Sequence, residues 1–154
     1  MWNERSAKMK IPKLRAEVMI VNEDHSEVLV QCDLSKTFYR FPGGSIEFGE
    51  TAKEEIMREL MEEYDLKVNV QKLAIVSEHI FEWKNERGHH CTLLHWGTVE
   101  AIITNEIRHK EHADIILIWK SIEELKTKPT YPEGIVSYLE KDNHNIVHFI
   151  SKNK

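Results

Sequence analysis

The chain is expected to fold as an α+β domain on a mixed β-sheet, and three observations in the sequence point there. Alternating apolar residues mark strands on both sides of a single stretch with helical periodicity. That stretch opens on Thr51 with Glu54 three residues on, the spacing of a capping box. A dense apolar run from Ala113 to Trp119 is followed by a second Ser-x-x-Glu start at Ser121. Strands, a helix, a long run of strands and then short helices is an α+β order. At 154 residues the chain suffices for one core, so residues 1–154 are expected to form a single domain.

From the start, Met1 to Arg15 is polar and basic and lacks the apolar run of a signal peptide. No later run reaches membrane-spanning length, so a cytoplasmic protein without membrane contact is expected. Ala16, Val18 and Ile20 alternate with Glu17 and Met19; after the turn-like Asn22 to Ser26, Val28, Val30 and Cys32 repeat the pattern. This is a hairpin. Phe38-Tyr39-Arg40-Phe41 then leads into Pro42-Gly43-Gly44, where two residues without a Cβ allow close approach of backbone to a ligand. Tyr39 and Arg40, beside that loop, are candidate substrate contacts.

The helix should run from about Thr51 to Tyr64-Asp65. At about 100° per residue, Glu55, Glu59, Glu62 and Glu63 share one face, with Ile56, Met57, Leu60 and Tyr64 opposite. The like-charged pairs on the acidic face each cost roughly 0.2–0.5 kcal/mol. Glu62 and Glu63 also face the negative end of the helix dipole. A divalent cation would reverse the sign, since clustered carboxylates suit Mg²⁺ and Mn²⁺.

Beyond the helix, Val68, Val70, Leu73, Ile75 and Val76 start a strand that runs on to His79, Phe81 and Trp83. A turn is expected at Asn85 to Gly88, followed by an alternating segment from His89 to Ile103. His89, His90 and His95 lack a compact metal-ligand spacing and are expected to be exposed or hydrogen-bonded. Thr104 to His112 reads as a loop and Ala113 to Trp119 as a central strand. Ser121 opens a short helix, and Pro132 starts a last one ending near Asp142. Ile146 to Ile150 is either a final strand or an oligomer contact. Cys32 and Cys91 are expected to be reduced, buried thiols. With 21 basic and 26 acidic side chains, the formal net charge of -5 argues against nucleic-acid binding by bulk charge.

One spacing stands out: Gly44, five residues, Glu50, seven residues, then Arg58-Glu59-Leu60-Met61-Glu62-Glu63-Tyr64-Asp65-Leu66. This resembles the Nudix box, Gly-x5-Glu-x7-Arg-Glu-U-x-Glu-Glu-x-Gly-U, with U aliphatic. The departure is Asp65, where the pattern has the glycine that ends the helix in a left-handed conformation. Asp is among the few other residues that visit that region.

The resemblance implies an α/β/α sandwich and metal-dependent hydrolysis of a nucleoside diphosphate linked to another moiety, with water attacking phosphorus. It implies Mg²⁺, with Mn²⁺ as the alternative, held by Glu59, Glu62, Glu63 and the Gly43 carbonyl, with Glu50 a further candidate. Gly44 joins the diphosphate cradle. Glu59, Arg58 and Glu62 are the implied catalytic set, with Arg58 orienting carboxylates or pairing with Glu50. The general base stays open among Glu59, Glu106 and Glu111. The implied partner is a small nucleotide, and family habit suggests a homodimer. A non-catalytic nucleotide sensor is the alternative, but all four box glutamates are present. Isoprenoid diphosphate isomerisation finds no clear match in Cys32 or Cys91. The substrate class is left open.

Overall fold

The computed structural model describes residues 10–141 and 145–153. The described chain forms strands β1 (Lys13–Val21), β2 (Glu27–Asp33) and β3 (Gly43–Ser45), then helix α1 (Ala52–Tyr64). Strands β4 (Asn69–Trp83), β5 (Glu86–Thr98), β6 (Ile107–Arg108) and β7 (Ile115–Ser121) follow. Helices α2 (Ile122–Leu125) and α3 (Ile135–Leu139) and strand β8 (Val147–Lys152) complete the fold. The strands join in one mixed sheet of order β6-β7-β2-β1-β5-β4-β8, with β3 paired to β1. The β1–β5 and β4–β8 pairs are parallel and the others antiparallel.

Both faces of the sheet are covered, which explains why β1 and β2 carry apolar residues at successive positions rather than strict alternation. Ala16, Val18, Ile20 and Leu29 pack with Ile56, Leu60 and Tyr64 of α1. On the other face Met19, Val28, Val30 and Cys32 pack with Leu125 of α2 and with Ile135 and Tyr138 of α3. This is the α+β sandwich the sequence predicts. None of the described helices is long and apolar enough to cross a membrane.

Several boundaries shift. The β4–β5 turn is shorter than expected: Lys84 and Asn85, both at positive φ, turn the chain, and β5 starts at Glu86. Two consecutive positive φ values match the twist of a two-residue hairpin. Strand β5 ends at Thr98 rather than Ile103. Strand β7 is not central; its outer neighbour is the two-residue β6, which forms within the segment read as a loop. The last helix begins after Gly134, not at Pro132, and its expected end at Asp142 lies outside the described residues, as does the segment Met1 to Met9. The tail is a strand, parallel to β4 at the sheet edge. Cys32 is buried and Cys91 half-buried, and both are free thiols.

Candidate active site

Strand β1 anchors the glycine loop. Glu17, Ala16 and Arg15 pair with Gly43, Gly44 and Ser45, while Val18 N donates to the Pro42 carbonyl at 3.0 Å and Ile46 N to the Leu14 carbonyl at 2.9 Å. Gly43 sits at φ 154, and a Cβ there would lie 2.0 Å from the Ala16 carbonyl oxygen. Only glycine fits so close to a backbone oxygen. A tight turn follows, in which Glu50 N donates to the Glu47 carbonyl at 3.0 Å and the Glu50 carboxylate accepts from Glu47 N at 3.1 Å.

Thr51 caps α1 by accepting from Glu54 N at 3.1 Å. The capping box is incomplete, because the Glu54 carboxylate accepts from the Thr51 hydroxyl instead of its backbone N–H. The reciprocal box forms at α2, between Ser121 and Glu124. At the other end Asp65 takes the left-handed conformation, φ 55 and ψ 38, and its N–H reaches the Met61 carbonyl at 3.0 Å. The helix therefore stops where the box glycine would stop it.

Arg58 organises the acidic face. Its Nε and Nη2 donate to the two oxygens of Glu50 at 2.7 and 3.0 Å, and Nη1 donates to Glu59 at 2.9 Å and Glu62 at 3.3 Å. The fork onto Glu50 is the planar pairing a guanidinium favours, and it holds the Glu50 carboxyl below its usual value. Glu50, a metal-ligand candidate by sequence, is thus engaged by Arg58 in this arrangement. Burial would raise Glu59, but hydrogen bonds from Glu63 and Arg58 outweigh it and hold Glu59 low. Glu63 is pushed well up, by burial and then by its hydrogen bond and charge contact with Glu59. Two carboxylates in contact share a proton.

His109, which follows β6, completes this cluster. Its Nε2 lies 3.1 Å from Glu63 Oε2, while its Nδ1 accepts from the backbone N–H groups of Glu111 at 3.0 Å and His112 at 3.1 Å. Because Nδ1 accepts two bonds, the ring proton is on Nε2 and is donated to Glu63. Burial holds the imidazole below its ordinary value, with the neighbouring His112 adding to the effect. Tyr64 and His109 meet edge to face, and Tyr64 contacts the Gln31 amide. With its oxygen turned toward Arg40, that amide accepts from Nη2 at 2.7 Å and Nε at 2.9 Å.

Glu55, also on the acidic face, is completely buried, and neither carboxylate oxygen has a hydrogen-bond partner. Burial, and then the charge of Glu59, push it up to about 8. Met57, expected in the core, is instead 43% exposed. The helix is thus rotated toward its carboxylates. A Cβ on Gly44 would lie 3.0 Å from Glu55 Oε1 and 3.0 Å from Glu59 Cδ, so the missing side chain is the space these carboxylates occupy.

Among the described residues no three His, Cys, Asp or Glu side chains stand close enough together to hold a metal ion as they are. The carboxylates of this face nonetheless fit a hard divalent cation: their donors are all oxygen, they crowd one another, and that crowding together with burial drives Glu63 toward the protonated form. Glu59, which lies against Gly44, together with Glu63 and the exposed Glu62, would hold it.

Of the residues singled out by sequence, Arg58 ties Glu50, Glu59 and Glu62 together, Glu63 meets Glu59, and Gly44, next to Gly43 in the chain, lies against Glu59. Tyr39 is corrected: it is 3% exposed and belongs to the core beside Phe41. Arg40 is exposed and held by Gln31. Of the late acidic residues, Glu111 borders the His109 loop and adds its charge to Glu63, whereas Glu106 lines a separate cleft with Glu27, Ile103 and Trp119. His89, His90 and His95 form no metal cluster with one another; His95 Nδ1 meets the Gln71 carbonyl at 2.8 Å. His109 and Gln31 were missed, because nothing local in the sequence links them to the helix.

A family model described as the NUDIX domain matches residues 12–140. Among solved structures, an ADP-ribose pyrophosphatase from Streptococcus suis is 14% identical, covering 90% of this chain and 99% of its own, with a TM-score of 0.61. A NUDIX hydrolase from Nitrosomonas europaea is 15% identical, covering 94% and 80%, with a TM-score of 0.65. A MutT NUDIX hydrolase from Burkholderia pseudomallei is 18% identical, covering 87% and 100%, with a TM-score of 0.60.

Proposed function

The chain belongs to the NUDIX domain family, and on that premise we propose that it is a metal-dependent pyrophosphohydrolase. Its substrate is a nucleoside diphosphate linked to another group, cleaved by water attacking phosphorus. The observation that carries the reading is the joined carboxylate group on α1: Arg58 donates to Glu59 and Glu62, Glu63 is in contact with Glu59, and Glu59 lies against Gly44. Such a face accepts positive charge, and a diphosphate brings more negative charge than Arg58 can balance. A bound divalent cation, Mg²⁺ or Mn²⁺, would supply neutralisation of phosphate oxygens and acidify an attacking water.

The chain's own residues do the positioning. Arg58 locks Glu50 and orients Glu59; His109 Nε2–H fixes Glu63 from behind. Arg40, exposed and held by Gln31, would contact substrate anion in this reading. Glu59, held in its ionised form by Arg58 and Glu63, is the favoured proton acceptor, and Glu111 is the acidic residue of the later loop nearest to this cluster by charge contact. Residues 1–154 act as one domain in this reading.

The test is phosphate release coupled to a phosphatase, with excess Mg²⁺ or with chelator. The panel comprises nucleoside triphosphates, ADP-ribose, dinucleoside polyphosphates and nucleotide sugars. Cleavage of at least one, abolished by chelator, is expected. Nucleotide binding without turnover on the whole panel would make the protein a sensor.

A further inference from the structure

Glu55 is the one carboxylate of α1 that the account above leaves without a task, and its surroundings are unlike those of an ordinary helix glutamate. It lies four residues before Glu59 and eight before Glu63, on the same face. Lys53 and Glu54 beside it are exposed, whereas Glu55 is 0% exposed with both oxygens unpartnered. The Arg58 guanidinium, whose charge acts on Glu55, has nothing left to give. All five Arg58 donors are engaged or directed elsewhere, toward Glu50, Glu59, Glu62 and the Ser45 carbonyl. Arg15 directs its Nη2 to Glu17 at 3.5 Å.

An apolar side chain would suit a buried, donor-free position better, because a buried carboxylate without a partner is costly. The position is not sealed off, however. Glu55 Oε1 and the Glu59 carboxyl both lie against the side of Gly44 that lacks a Cβ, close to the same point. The unpartnered group therefore aims into the cradle and not into the hydrophobic core. We propose that Glu55 is an additional side-chain ligand of the divalent cation on this face, closing its inner end beneath Gly44. This rests on the metal-dependent reading above and extends it by one carboxylate. A set of Glu55, Glu59, Glu62 and Glu63 carries more charge than one divalent cation neutralises together with Arg58, so the face binds Mn²⁺ or Mg²⁺ more tightly than three glutamates would.

The experiment is titration of Mn²⁺ into the full, metal-free chain by calorimetry, with bound Mn²⁺ followed by electron paramagnetic resonance. Wild type, Glu55→Gln, Glu55→Ala and Glu63→Gln are compared, each checked by circular dichroism. Both Glu55 variants are expected to weaken the tightest Mn²⁺ by ten-fold or more, and Glu55→Ala to melt at or above the wild-type temperature without metal. If Glu55→Gln does not fold, Glu55→Ala decides. Mn²⁺ affinity within two-fold of wild type in the Glu55 variants, with loss in Glu63→Gln, overturns the proposal and leaves the functional reading standing. Unchanged affinity in Glu63→Gln as well overturns both. Failure of both Glu55 variants to fold without metal also overturns it, by making Glu55 a structural residue.

Discussion

Two adjacent glycines should respond to the same substitution in opposite ways. At Gly43 an added methyl meets backbone: 2.0 Å to the Ala16 oxygen and 2.7 Å to Glu17 Cα. An ordinary contact needs over an ångström more, so the β1–β3 pairing must open, and the positive φ adds strain for any L residue. Gly43→Ala should cost about 3 kcal/mol, the upper range for overpacking. At Gly44 the methyl meets only the ends of two side chains, Glu55 Oε1 at 3.0 Å and Glu59 Oε1 at 3.1 Å. These can yield by a few tenths of an ångström. Restricting the unfolded chain returns about 0.4–1 kcal/mol, so Gly44→Ala should be within about 1 kcal/mol of wild type in stability. If these carboxylates hold the metal as proposed, small misplacements should cost up to about 10²-fold in rate. Urea denaturation and kcat/KM on any substrate found would measure both. Equal stability losses in the two variants, or wild-type turnover in Gly44→Ala, would refute the reasoning.

Asp65→Gly should be neutral to mildly stabilising: it relieves about 1 kcal/mol of left-handed strain, offset by glycine's freedom in the unfolded chain, while the exposed contact with Lys110 at 3.7 Å counts for little. Asp65→Val should be less stable than either, and a clear loss in the glycine variant on chemical denaturation would mean that Asp65 makes a needed contact. His109→Leu removes the donor that orients Glu63 and should weaken Mn²⁺ binding about 10–100-fold, as losses behind metal ligands do; unchanged calorimetric affinity would reduce His109 to packing. For the metal-free protein, Glu55 keeps a proton in the folded state up to about 8 that the unfolded chain releases near the ordinary carboxylate value, and Glu63 acts in the same sense. Stability should therefore fall as pH rises through that window. His90 and His109, depressed by burial, act oppositely but only below the ordinary histidine value, and the buried Cys32 thiol acts in the carboxylates' sense only toward the top of the range, so the fall on melting in chelator from pH 7 to 9 is led by the carboxylates. A melting temperature that rises across that interval would contradict it.

What the sequence revealed was local. Thr51 and the four glutamates declare the helix and its acidic face by spacing alone, because each depends on neighbours within a turn or two, and the left-handed end at Asp65 is what the box resemblance implies. The alternation in β1 and β2 likewise shows the hairpin. Long-range placement was hidden. Whether Tyr39 points at solvent or into the core depends on its parallel bridge to Thr130, about ninety residues away, and its backbone bond to Pro129. The His109–Glu63 bond depends on how a two-residue strand docks on β7. Even Glu55, visible on the acidic face, needed the packing of Gly44 to show that it is buried.

The most direct test of the central claim is turnover in H₂¹⁸O with excess Mg²⁺, with the products read by mass spectrometry. One ¹⁸O atom is expected in a phosphate-bearing product, with turnover lost on adding chelator and largely lost in a folded Glu63→Gln variant. Label incorporated at carbon and not phosphorus, or undiminished turnover in Glu63→Gln or in chelator, would contradict it.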